Sequence, residues 1–398
     1  MNRRTVRTVL FSTLYPSAER PMHGLFVETR LRELLKTGRV ETRVVSPVPW
    51  FPSTQACWGE YARMARTPPC EVRHGVEMLH PRYLLLPKVG MTLAPLLMAL
   101  GAWGALRRLL DSGFDFDLID AHYYYPDGVA AAILGALFAK PVTVTARGTD
   151  INLIPDYRWP RKLLQWAGSR ASASIGVSAA LVERMRALAF DPRRLHVMRN
   201  GVDLERFCLH NTAAMRQALD ISSSPVLLTV GNLHEHKGQR LVLEAFALLR
   251  GQYPGACLMV VGEGPDRSLL QRRATALGLA QAVRFVGLVA NTELARWYSA
   301  ADVLLLASSR EGWPNVLLES MACGTPVVAS DVGGVREIVQ TPTAGRVVAH
   351  RTPAAFAMAL SELLVAPVDR DAVRAFATQF GWERTSQDQL ALFQSLAT

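Results

Sequence analysis

Five cysteines among 398 residues (Cys57, Cys70, Cys208, Cys257 and Cys323) form no C-x-x-C pair. An odd, scattered set argues against both a disulfide framework and a cysteine zinc site, and points to a reducing, cytoplasmic compartment. Charge is sparse: 20% of residues are Asp, Glu, Lys or Arg, against 49% hydrophobic, which excludes whole-chain disorder. A secretory leader is not indicated, because the apolar run Val9 to Tyr15 is broken by Ser12 and Thr13 and lacks a small-residue cleavage site. It reads as a first strand. No G-x-G-x-x-G follows it, since residues 12–26 offer only Gly24, so a nicotinamide oxidoreductase is disfavoured. No Asp-x-Asp motif stands at the carboxyl end of an expected strand. The longest uncharged stretch, Val89 to Leu106, is interrupted by Pro95, Gly101 and Gly104. It is expected to be a helix packed on the sheet, with contact to a membrane surface as the alternative and a span as the weakest reading.

The charge that is present is uneven. Residues 1–200 hold 27 Lys and Arg against 16 Asp and Glu, a surplus of 11, and the remainder holds 17 against 18. Such asymmetry fits a nucleic acid, an anionic membrane or acidic substrates as partner, or a solvated basic face. The length suits two domains. Short β-branched runs alternate with helical patterns throughout, which predicts βαβ units and parallel sheets. Val6 to Ser12, Thr42 to Val48, Asp117 to Ala121, Val142 to Ala146 and Ala173 to Val177 are expected as strands of a first sheet. Val226 to Val230, Cys257 to Val261, Val283 to Val286, Val303 to Leu306, Pro326 to Ala329 and Gly345 to Val348 are expected in a second. The fold class is α/β, two doubly wound domains meeting near Asn200-Gly201-Val202-Asp203. In such folds ligands sit at the carboxyl ends of strands.

The segment Ser308 to Ser330, SSREGWPNVLLESMACGTPVVAS, leaves a strand, turns through Gly312 and Pro314, and enters a helix at about Asn315 or Val316. Backbone N–H groups at a helix start, beside the positive end of the dipole, form a seat for phosphate. Glu311 and Glu319 flank it, eight residues apart, and carboxylates suit vicinal hydroxyls as acceptor-only groups. As plain structure they are a turn residue and a surface helix position. Earlier, Gly231 and Lys237 in VGNLHEHKG can bring backbone and an ammonium to a diphosphate. Gly262 in VGEGP ends the next strand without the third glycine of a dinucleotide loop. In the first half, the Gly24 loop, His122 after Asp120-Ala121, and Arg147 and Asp150 in ARGTD all fall at carboxyl strand ends. Arg147 and Asp150 either face a ligand or pair with each other.

Together these segments resemble family 4 of the retaining glycosyltransferases, the GT-B fold with two Rossmann-like domains facing across a cleft. The resemblance rests on the E-x7-E signature Glu311 to Glu319, followed by Met321-Ala322-Cys323-Gly324-Thr325-Pro326. Asn200-Gly201-Val202-Asp203, Gly262-Glu263-Gly264-Pro265 and Asp331-Val332-Gly333-Gly334 support it. The opening STLYPSAERPMHGLFVETR is similar to members that build exopolysaccharide or cell-wall polysaccharide. The resemblance implies an acceptor-binding domain over 1–200, a donor-binding domain over 201–375, and a final helix, 376–398, packing back on the first domain. It implies that Glu319 holds the donor ribose and that Glu311, with Gly312, Trp313 and Pro314, holds the donor sugar. Lys237 would take the diphosphate and His122 would lie beside the transferred sugar. Gly231, Asn232, Gly262, Asn315, Val316 and Leu317 complete the donor site; Gly24, Arg147 and Asp150 face the acceptor or cleft. Two positions depart from the family pattern: Asn232 replaces an expected arginine, and Arg147 an expected histidine.

The implied reaction moves a sugar from a nucleotide-sugar donor to a saccharide or lipid-linked acceptor with retention of configuration, without metal or other cofactor. Peripheral contact with the inner face of the cell membrane is expected, and no nucleic-acid partner. A sugar-nucleotide epimerase on the same scaffold and a non-catalytic scaffold of a polysaccharide assembly complex are the competing readings.

Overall fold

Runs such as Val226–Val230 and Cys257–Val261 have no polar alternation, and every residue in both is buried. Such strands suit a parallel sheet covered by helices on both faces. The computed structural model describes residues 4–85 and 90–397; Lys88 and Val89, at the start of the uncharged stretch, lie outside them. The chain divides into two units, Met1–Asn200 with Glu383–Thr398, and Gly201–Trp382.

The first unit contributes β1 (Val6–Phe11), β2 (Val40–Val45), β3 (Val48–Pro49), β4 (Cys70–Arg73), β5 (Val76–Leu79), β6 (Arg82–Tyr83), β7 (Leu118–His122), β8 (Val142–Ala146), β9 (Ala173–Gly176) and β10 (Leu195–Val197). Eight of these form one sheet in the order β4-β5-β2-β1-β7-β8-β9-β10, with β3 and β6 paired separately. All neighbours in the large sheet are parallel except the edge hairpin β4–β5. The run Thr42 to Val48 does not form the single strand expected. Pro47 has no N–H to give a ladder, so β2 ends at Val45 and Val48 pairs instead with Arg82.

The second unit contributes β11 (Val226–Val230), β12 (Cys257–Val261), β13 (Val283–Gly287), β14 (Val303–Leu306), β15 (Val327–Ser330) and β16 (Gly345–Val348). Their order, β13-β12-β11-β14-β15-β16, is wholly parallel and reverses direction between β11 and β14. In the first unit the reversal falls between β1 and β7. Loops leaving the two strands at a reversal diverge to opposite faces and open a crevice at their carboxyl ends, where ligands bind in doubly wound sheets.

Each unit has its own core. In the second, helices Gln239–Arg250 and Pro353–Val365 pack together and bury Phe246 and Phe356. In the first, Leu390 and Phe393 of the last helix, Trp382–Leu396, join Val6, Leu34 and Leu118. Burying a Phe side chain stabilises by about 2 to 3 kcal/mol, which holds this helix on the first unit. The segment returning to that unit begins at Glu383 rather than at 376. Up to that point the chain is anchored in the second unit. The Arg374 guanidinium bonds the carbonyls of Phe207, Leu204 and Ala322, and Val202 N–H donates to Phe380 O at 2.9 Å.

Candidate functional site

In the second unit, Lys237 closes the short turn Glu235–Lys237 after β11, and Glu311 lies in the loop after β14. These are the two loops of the reversal. Though 74 residues apart, Lys237 Nζ donates to Glu311 Oε1 at 2.7 Å, and Ser308 Oγ donates to the same oxygen at 2.7 Å. Two glycines permit the approach. Gly238, at φ +75°, would set a Cβ 2.0 Å from the Ala307 carbonyl oxygen, and Gly333, at φ +53°, would set one 2.0 Å from that of Glu311. Any side chain at either position drives these loops apart. The pair is part-buried and keeps further Lys237 N–H donors available, since an ammonium carries three.

From Pro314 the chain enters helix Asn315–Ala322, whose start has no side-chain cap, so the positive end of its dipole lies just after Glu311 in the chain. Leu317 is fully buried and its N–H donates to the Pro314 carbonyl at 3.1 Å, while Trp313 packs on Phe380 with ring centroids 6.4 Å apart, so Leu317 shapes the turn rather than facing a ligand. Glu319, one turn in, accepts a hydrogen bond from the Tyr298 hydroxyl at 2.8 Å. Burial pushes its carboxyl up to about 7, opposed by that hydroxyl and by Arg206. Gly231 and Gly262 pack against each other at the ends of β11 and β12, and Asn232 is exposed. Arg310 and Arg351, with His234 and His236, line a polar pocket of about 620 Å³ beside the Glu235–Lys237 turn. Two arginines from the loops after β14 and β16 thus stand beside this turn.

The corresponding crevice of the first unit is organised differently. His122, the last residue of β7, is buried, with Nε2 3.1 Å from Asp120 Oδ2 and Nδ1 against the Arg147 guanidinium. A guanidinium only donates, so Nδ1 accepts and Nε2–H is the donor to Asp120. Burial lowers His122 to about 4, Arg147 adding and Asp120 opposing. Burial pushes Asp120 up, but His122, Thr143 and Arg30 outweigh it and hold the carboxyl below its ordinary value. Gln389 of the last helix donates to Asp120 at 3.2 Å and accepts from Arg30 Nε at 2.8 Å. Arg30 also bonds the Met198 carbonyl at 3.0 Å and Asn200 Oδ1 at 3.3 Å, and Arg147 reaches the same Asn200 oxygen at 3.1 Å while lying over the Phe26 ring.

Asp150 and Arg147 do not pair side chain to side chain. Asp150 takes the backbone N–H groups of Arg147, Gly148 and Tyr124 at 2.7 to 3.2 Å, fixing the loop after β8. Gly24 starts helix Leu25–Leu35, next to His23, whose Nε2 meets the Thr13 carbonyl at 3.1 Å. Across the reversal, Thr13 donates its N–H and hydroxyl to Asp127. Burial raises Asp127 to about 7, the Thr13 bonds opposing.

Comparison with known proteins gives the family and the fold. Residues 224–365 match the family model described as "Glycosyl transferases group 1", and residues 65–206 match "Glycosyltransferase Family 4". A D-inositol 3-phosphate glycosyltransferase of Frankia alni is 33% identical over 302 residues, covering 70% of this chain and 74% of that protein. The chain belongs to glycosyltransferase family 4. A Bacillus subtilis protein named for teichuronic acid biosynthesis, TuaC, is 29% identical over 339 residues, 84% of this chain and 83% of that one. Sucrose-phosphate synthase from Thermosynechococcus elongatus superposes with a TM-score of 0.79 at 19% identity, over 99% of both chains. HepE of Anabaena, in complex with UDP-glucose, gives 0.73 at 20% identity over 98% of this chain and all of that one. The fold is GT-B.

As a family 4 transferase the chain brings together Lys237, Glu311, Gly312 and the Asn315 helix start, and separately His122, Arg147 and Asp120. Sequence reasoning missed Arg30, Gln389, Arg310 and Arg351. Arg310 adjoins Glu311 and was open to detection; Gln389, 269 residues from Asp120, carried no local signal.

Proposed function

We propose that this glycosyltransferase binds a nucleotide-sugar donor on its second unit and transfers the glycosyl group, with retention, to a saccharide or lipid-linked saccharide acceptor in polysaccharide or glycoconjugate assembly. The observation that carries this is the Lys237–Glu311 pair beside an uncapped helix start at the sheet reversal. Cleavage of the bond between the sugar carbon and the diphosphate leaves an oxocarbenium-like carbon and sends the electron pair to the phosphate. Fixed positive groups aimed at that developing anion lower the barrier. Lys237 and the helix N–H groups supply them, so the reaction needs no metal ion. Glu311, already oriented by Ser308, accepts hydroxyls of the sugar once the diphosphate draws Lys237 away. Glu319 accepts those of the ribose. His122, with both ring nitrogens engaged, positions Arg147 rather than moving a proton.

Membership of family 4 supports retention. The five free cysteines, none of them disulfide-bonded, support a cytoplasmic location. A thermal-shift screen of nucleotide sugars, followed by acceptor trials with the best stabiliser, tests the reading. A stabilising donor whose labelled sugar passes to an acceptor or to water supports it; epimer formed from donor alone, or no turnover with any donor, contradicts it.

A further inference from the structure

Large apolar side chains are exposed on one unit far more than on the other. Among the described residues every exposed Trp and Tyr belongs to the first unit: Trp50, Trp58, Tyr61, Trp103, Tyr157, Trp159 and Trp166. The apolar exposure concentrates on helix Gly90–Asp111. Its inner face, with Ala94, Met98, Ala102 and Leu106, is buried. Its outer face, at helical spacing, is Leu93, Leu96, Leu100 and Trp103, each 41 to 65% exposed. A solvated helix face carries polar residues; this one is apolar on both sides. The helix is long and apolar enough to cross a bilayer, yet its inner face is packed against helix Val129–Phe138, so it lies on the unit rather than standing free.

Helix Arg158–Arg170 packs beside it and against the same inner helix. It carries Arg158, Arg161, Lys162 and Arg170 and no acidic residue. The exposed Trp159 ring lies 5.1 Å from Lys162 Nζ and 5.8 Å from the Arg158 guanidinium carbon. An apolar stripe flanked by tryptophan and by cations matches the boundary of a bilayer with anionic headgroups, where aromatic rings and basic side chains settle at the interface. The stripe also begins at the sheet crevice, because the Tyr125 hydroxyl, in the loop after β7, donates to the Met91 carbonyl.

We propose that the outer faces of these two helices form a docking surface for an anionic lipid bilayer, Leu93, Leu96, Leu100 and Trp103 entering the acyl boundary and Arg158, Arg161 and Lys162 meeting headgroup phosphates. The inference rests on the transferase reading only for its purpose, which is to bring a lipid-carried acceptor to the loop after β7. Docking itself is measured without catalysis.

The test is sedimentation of the full chain with phosphatidylcholine vesicles, with and without phosphatidylglycerol. Binding to anionic vesicles at low salt is expected, with release at about 0.5 M salt, where screening shortens to a few ångströms. Leu96→Asp/Leu100→Asp and Arg161→Glu/Lys162→Glu change exposed positions, so folding is retained, and each is expected to lower the partition coefficient at least tenfold. No sedimentation with anionic vesicles, or equal binding by both double variants, overturns the proposal. So does a stable dimer in light scattering that Leu96→Asp/Leu100→Asp dissociates, which assigns the face to a second copy. Sugar transfer to a soluble acceptor without vesicle binding overturns docking alone; vesicle binding by a chain that transfers no sugar overturns the transferase reading alone.

Discussion

The two units hold charge in opposite ways. In the first, Arg30, Asp120 and His122 are almost wholly buried and joined, with Arg147, Asn200 and Gln389, into one hydrogen-bonded network. In the second, Lys237 and Glu311 meet at a part-exposed edge on two loops, and two further arginines line an open polar pocket beside them. A buried network is costly to interrupt because a stranded charge cannot return to water, whereas an open pair can exchange its partner for a ligand. Changes in the first unit should therefore be felt as lost stability, and changes in the second as lost turnover.

Arg30→Met attacks that contrast hardest. It removes the cation that bridges Gln389, Asn200 and the Met198 carbonyl, and is expected to cost about 3 to 5 kcal/mol of stability. Thermal unfolding should show a fall in Tm of roughly 10 °C. An unchanged Tm would mean the network is ornamental. The mirror experiment is Lys237→Ala, expected to cost about 2 to 4 kcal/mol in kcat/KM, the loss typical of one preorganised donor, while Tm stays near that of the native chain. A double-mutant cycle with Glu311→Gln should be strongly non-additive, because the two groups share one contact.

How much of this was legible in the sequence divides along the same line. In the second unit the strands fell within one residue of their observed ends, since uninterrupted runs such as VLLTV have no reading other than a buried strand or a buried helix too short to stand. The two loops of the sheet reversal followed directly, as each leaves such a strand. In the first unit the edge hairpin β4–β5 went unseen: CEVRHGVEML alternates polar and apolar residues, is half exposed, and is antiparallel where its neighbours are parallel. Helix Arg158–Arg170 was hidden by Pro160 and by a polar, basic pattern. Ends of the chain gave least, because the anchoring of 370–382 in one unit depends on Arg374 reaching carbonyls about 50 and 170 residues away.

A smaller effect sharpens the comparison by pH. Asp127 has its carboxyl raised to about 7 in the fold, above its unfolded value of about 3.9. The folded chain thus binds the proton more tightly. Stability from this group is full below about pH 4, falls as pH rises, and is lost once pH passes 7. Asp127→Asn keeps an acceptor for the Thr13 N–H and does not titrate, so its stability relative to the native chain should improve by about 2 to 3 kcal/mol between pH 5 and pH 8. A difference that is flat with pH would show that Asp127 is ionised throughout. Smallest of all, EDTA should leave transfer unchanged; abolition reversed by magnesium or manganese would contradict charge stabilisation by Lys237 and the helix start alone.

The central claim is that Glu319 serves the nucleotide and Glu311 the sugar. Its most direct test is calorimetric titration of the two alanine variants with the nucleoside diphosphate of the best donor, alongside labelled-sugar transfer. Glu319→Ala should weaken binding about tenfold, or about 1.4 kcal/mol, whereas Glu311→Ala should bind within about twofold of the native chain and yet transfer roughly a hundredfold less sugar. Native-like binding and native-like turnover in both variants would contradict it.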